Sequence, residues 1–243
     1  MTSAHTAPPA LGASPRTIAR LVGVLSLLTI LGGVYAQGYV SRSLVVWRDP
    51  AVTAANILAH RNLYLSGLAV YLVEMACSIA TVALMYVLLR PAGRTLALVA
   101  ASMGLVACII KTIARVFFAA PLYLLGATRF HSTSPGALND VSLMLLLVND
   151  HAAGIAMAFF GFKGVLSGIL IARSTFLPRF LGVLSFIGGL GWLMHLWPPL
   201  GYADDDYVLI FALLSALAEI FWLLVFGVNE PRWYERSRST QGG

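Results

Sequence analysis

Six times between residues 17 and 228 the chain runs for about twenty residues or more with almost nothing but apolar and small side chains. No other feature restricts the fold so strongly. Inside hydrocarbon every backbone N–H and C=O must find a partner within the protein, which leaves only helices and closed barrels. Barrel strands would show short segments of alternating polarity, and these runs do not alternate. The sequence therefore predicts an all-α, polytopic integral membrane bundle with spans near 17–38, 63–89, 95–126, 141–172, 179–198 and 207–228. Composition agrees: 11% of the residues are charged and 59% hydrophobic, where a soluble domain carries about 25% charged.

The formal charge of +6 is not a nucleic-acid footprint, because the arginines sit at the ends of spans. Arg16, Arg20, Arg90, Arg94, Arg173, Arg179, Arg232, Arg236 and Arg238 fall on one side. The other side has Arg42, Arg48, Arg61 and Arg129, together with the acidic run Asp204, Asp205 and Asp206. The basic excess predicts both termini in the cytoplasm of a multi-pass cell-membrane protein, and six spans agree with that. Three regions follow: a disordered cytoplasmic tail over 1–15, one transmembrane domain over 16–229, and a cytoplasmic tail over 230–243 that reads as unstructured. The first span also has the basic start, apolar middle and small-residue "VYA" end of a cleaved signal peptide. Its length favours a retained span. Cys77 and Cys108 lie mid-span without metal-ligand spacing and read as small apolar residues.

One long connection, 39–62, lies on the outer side. Asp49 followed by Pro50 marks a helix start, with a side-chain cap and a proline in the first turn. The helix it begins carries Thr53, Asn56 and His60 on one face, which predicts a short amphipathic helix along the outer interface. The alternative is that this face meets water. Two stretches, "DPAVTAANILAHRNLYLSG" and "GILIARSTFLPRFLGVLSFIGGLGWL", resemble a bacterial family of multi-span membrane proteins known only as the domain of unknown function numbered 4386. The resemblance covers roughly residues 17 to 229. It implies a single helical membrane domain with the first span retained, and it carries no activity and no site residues.

Function has to be sought among the ionisable groups that lie within spans, which are costly there and face the bundle interior or a water-filled cavity. They are Glu74, Lys111, Arg115, Asp150, His151, Lys163, His195 and Glu219. At ~1.5 Å per residue, Glu74, Lys111 and His195 fall about 24 Å from the inner end, Arg115, Asp150 and His151 at about 31–35 Å, and Lys163 and Glu219 at about 15–17 Å. These depths predict three layers: Glu74–Lys111–His195, Arg115–Asp150–His151 and Lys163–Glu219. Gly154, Met157, Gly161, Gly164 and Gly168 form a stripe on the fourth span, a packing seam for another helix.

The resulting expectation is a polar pocket in the outer half of the bundle. Glu74, His195, Asp150, His151 and Tyr71 are the acid–base candidates, and Lys111, Arg115, Asn56, His60 and Glu219 the substrate-binding ones. Such groups suit a membrane-embedded enzyme that isomerises or cyclises a lipophilic molecule. Two alternatives are a proton-linked transporter or binder of an amphipathic anion, and a structural protein whose buried charges only specify helix packing. No internal repeat supports the transporter. No cofactor is predicted; a metal site is a third alternative, for which His60, His151, His195, Glu74 and Asp150 are suitable ligand types although no two have a metal-binding helical spacing. Expected partners are the bilayer, a lipophilic or amphipathic small molecule and, in assembly, a second copy of the chain, with no nucleic acid.

Overall fold

The computed structural model describes residues 13–126, 134–197 and 205–241, and of 205–209 and 240–241 the backbone alone. Arg129, Asp204 and the first twelve residues lie outside the described residues. The first helix, α1, runs Pro15–Leu44; it is α-helical over Pro15–Gly33, π-helical over Val34–Ser41 and α-helical again over Arg42–Leu44. There follow α2 (Pro50–Ala59), α3 (Arg61–Leu89), α4 (Arg94–Leu125), α5 (Pro135–Arg173), α6 (Arg179–Leu193), α7 (Asp205–Val225) and α8 (Glu230–Gln241). Among the described residues there is no strand. Five helices are long and apolar enough to cross a membrane, and α7 adds a sixth when joined to α8 across a bend of 99°.

Three helices start with the same local chemistry. Ser14, Asp49 and Ser134 each accept a hydrogen bond from the third residue onward, and each is followed by a proline at the first helical position. The side chain satisfies one orphan N–H while proline supplies the right φ and lacks an N–H that would go unused. Helix α5 begins six residues before the expected span and is 39 residues long. At ~1.5 Å per residue that is about 58 Å, so it projects past a ~30 Å hydrocarbon core.

The six long helices form a ring in which each packs on its chain neighbours and α7 closes back onto α1. The starts of α1 and α4, the end of α3, the α5–α6 turn and α8 meet at one end, here called the terminal face. There Ile18, Leu88, Leu89, Leu170, Phe176, Leu223 and Trp233 form one buried apolar cluster. At the opposite end Val40, Leu44, Ile57, Tyr64, Phe118 and Leu146 form a second. The perimeter is apolar and exposed, as at Leu28, Val73, Ile109, Val116, Ile155 and Phe221, which is the surface a bilayer requires.

Two expectations change. The chain after Arg232 is helical, because Trp233 (2% exposed) inserts into the terminal cluster and its indole N–H donates to Leu88 O at 2.9 Å. Asn229 caps that helix through Arg232 N, so the "NEPRW" start was a readable signal. On α2, neither Thr53 nor Asn56 turns to water. Thr53 Oγ1 accepts from Val46 N and donates to Val46 O, both at 2.9 Å, and Asn56 Nδ2 donates to Leu44 O at 3.2 Å. Ile57 on the same helix is fully buried. Helix α2 is thus a cap resting on the ends of α4 and α5 opposite the terminal face.

Candidate functional site

Between the two apolar clusters lies a partly open cavity of about 310 Å³ that all six long helices line. Its polar equipment is Glu74, Ser78 and Thr81 from α3, Lys111 from α4, Lys163 from α5, Ser185 from α6, Ser215 and Glu219 from α7, and Ser26 and Thr29 from α1. Met157, Phe160, Trp192 and Ile30 supply much of the apolar wall.

Glu74 and Lys111 form an ion pair at the far end of this cavity. Lys111 Nζ donates to Glu74 Oε1 at 2.7 Å, with the side chains 12% and 3% exposed respectively. Glu74 Oε2 is buried and bonds to no described residue, and Thr81 Oγ1 below it is in the same condition. Glu74 fits against α1 because Gly32 and Gly33 face it: a Cβ on Gly32 would stand 3.4 Å from Glu74 Cβ. Nearer the terminal face, Ser185 Oγ donates to Glu219 Oε2 at 2.9 Å and ties α6 to α7.

In the half of the bundle opposite the terminal face the polar groups engage one another. Arg115 (3% exposed) donates through NH1 to Asn149 Oδ1 at 2.9 Å and lies over the Tyr71 ring, 3.6 Å from its centroid. That placement gives the cation an amide dipole and an aromatic quadrupole, while its buried Nε bonds to no described residue. The Tyr71 hydroxyl donates to Gln37 Oε1, and Gln37 sits within the π-helical stretch of α1. Phe118 meets Tyr71 edge-on and stacks on Tyr64, whose hydroxyl donates to the Phe118 carbonyl.

Of the predicted layers, one pair stands and the rest are rearranged. Glu74 and Lys111 do pair, but His195 lies in the turn after α6 beside Trp192 (ring centroids 5.6 Å apart), outside the cavity lining. Arg115 takes Asn149 instead of Asp150, which is half-buried; His151 is exposed with Nδ1 2.8 Å from Leu147 O. Lys163 and Glu219 share the cavity without an ion pair. His60 is exposed at the C-terminal cap of α2, and Asn56 serves the outer connection. The pocket consequently occupies the middle and terminal half rather than the outer half, because the outer polar groups consume one another. The small-residue stripe is a seam against α6, where Gly161, Gly164 and Gly168 meet the backbone of Gly189 and Gly182. Sequence reading missed Gln37 and Asn149; a lone amide in an apolar span was the available signal. Among the described residues no three His, Cys, Asp or Glu side chains converge on a metal-sized site.

A ring of apolar helices around a partly polar cavity defines a polytopic helical membrane protein with an internal site. The chain belongs to the family described as domain of unknown function DUF4386, whose profile matches residues 21–227. No curated protein and no solved structure matches it.

Proposed function

We propose that this protein takes a lipophilic small molecule from the bilayer into the ring cavity and exchanges a proton with it through Glu74. The supporting observation is the half-satisfied carboxylate on a side chain that lines the cavity: one Glu74 oxygen is held by Lys111 while the other is buried and bonds to no described residue. A volume of about 310 Å³ stands at the small end of ligand pockets, which are largely apolar with a few placed polar groups. In the reaction Glu74 accepts a proton from the bound molecule and Lys111 steadies the negative charge left behind. Return of the proton to a different atom gives an isomer, or a ring if the chain has folded, with no redox partner required. Asp150, His151, His195 and Tyr71 have no part in this scheme. The basic terminal face supports its placement in the cytoplasm, with the protein in the cell membrane.

The test is native mass spectrometry of protein extracted gently from its own membranes into buffered D2O. Wild type is expected to release a bound molecule that has gained deuterium, whereas Glu74→Gln releases it unlabelled. Equal labelling from both proteins, or no molecule in either, refutes the proposal. Proton-linked transport is the second reading, favoured by carboxylates at two depths along the cavity, Glu74 and Glu219. It requires uptake into sealed vesicles and no chemical change in the molecule.

A further inference from the structure

Among the described residues none answers the ammonium of Lys163. It lies about 15 Å from the terminal end of α5 at ~1.5 Å per residue, in the cavity wall. No hydrogen bond or ion pair joins it to any described residue. Its stem passes Gly104, where a Cβ would stand 3.2 Å from Lys163 Cδ. Glycine there leaves room for the side chain, which borders this cavity and a smaller one lined by α3, α4 and α5. A lysine at such depth ordinarily pairs or reaches for the interface. Glu219 is the nearest opposing charge by depth, but it stands on α7 with α6 intervening and outside ion-pair distance. Ser185 holds one of its oxygens, leaving the other for a second donor.

We infer that the space between Lys163 and Glu219 is a head-group subsite for a single-chain amphipath with an anionic head. The anionic oxygen takes the Lys163 ammonium in a charge-assisted bond. A hydroxyl or amide N–H beside it donates to the second oxygen of Glu219. The tail runs toward Met157, Phe160 and Trp192, so the portion about 8 Å further along lies beside Glu74 and Lys111. A volume of about 310 Å³ favours one acyl chain over the two of a phospholipid. This subsite rests on the cavity being a ligand site and specifies what that ligand must carry.

The experiment titrates full-length protein in phosphatidylcholine nanodiscs with decanoate, decyl phosphate and decanol, read by native mass spectrometry. An anionic probe is expected to bind wild type at least about tenfold more tightly than decanol, and comparison of the two anions separates a carboxylate head from a phosphate. Lys163→Met is expected to lose about tenfold or more of that affinity with decanol unaffected, while Lys163→Arg retains it. Binding that ignores both the head group and Lys163 overturns the subsite and leaves the cavity as a ligand site. Failure of every probe to bind wild type also overturns it. Anion binding that needs Lys163, with deuterium labelling that survives Glu74→Gln, supports the subsite and removes the proposed chemistry alone.

Discussion

Glu74 and Lys111 meet at 2.7 Å with almost no exposure, and the energetics of such a pair are asymmetric. Removing one partner strands the other charge in an apolar interior, at a cost of about 3–5 kcal/mol, whereas replacing both is far milder. Glu74→Gln and Lys111→Met are each expected to lower stability by roughly that amount in reversible detergent unfolding, with the double variant well short of their sum. Strictly additive losses would show that the two side chains do not act as a pair. This contact was legible in the sequence because both residues are rare in spans and their depths coincide. The Arg115–Asn149 bond was not, because a neutral amide is too ordinary to draw notice and a neighbouring carboxylate, Asp150, offered the stronger Coulombic partner. Burial reversed that choice: Asn149 is buried and Asp150 only half so.

At the scale of elements, α5 and α6 approach closely enough for backbone to touch backbone. A Cβ at Gly189 would stand 2.5 Å from Val165 N and 2.8 Å from Gly161 O. Gly189→Leu is therefore expected to force the helices apart and cost at least about 1–3 kcal/mol in the same unfolding assay. Gly136→Ala, with nothing within 4 Å of the added carbon, is expected to be neutral or to stabilise by about 0.4–1 kcal/mol. Helix α8 is held by a different contact, in which Arg16 N donates to Glu230 Oε1 at 3.2 Å. The Ser14 hydroxyl, and then the Arg16 N–H and charge, hold the Glu230 carboxyl below its ordinary range. A depressed carboxylate stabilises its contact above the unfolded-state pKa and loses that contribution as pH falls through the folded one. Amide exchange in α8, corrected for intrinsic rate, is expected to accelerate below about pH 4 in wild type. In Glu230→Gln that step should be absent.

Across the whole molecule, the terminal face gathers the starts of α1 and α4, the α5–α6 turn and α8, and with them most of the arginines. Nearby Gly227 (φ +66°) makes the turn into α8; a Cβ there would stand 3.0 Å from Arg16 Cγ. A C-terminal green fluorescent fusion is expected to glow and a C-terminal alkaline phosphatase fusion to be silent. The same two reporters placed in the α1–α2 connection should give the reverse. A phosphatase signal from the C-terminus would invert the orientation, and with it the side nearer to Lys163 and Glu219.

Composition and hydropathy along the chain were enough to establish a bundle of apolar helices and to place each of the six spans to within about six residues. Those properties follow from local composition and from the requirement that backbone be satisfied without water. The three-dimensional packing was needed to see that Lys163 and Glu219 line one cavity without an ion pair, that Arg115 takes Asn149, and that Trp233 anchors the polar tail. Each of these depends on the rotation and tilt of helices distant in the chain. Helix periodicity gives the face a residue occupies, but not the neighbour that face will meet.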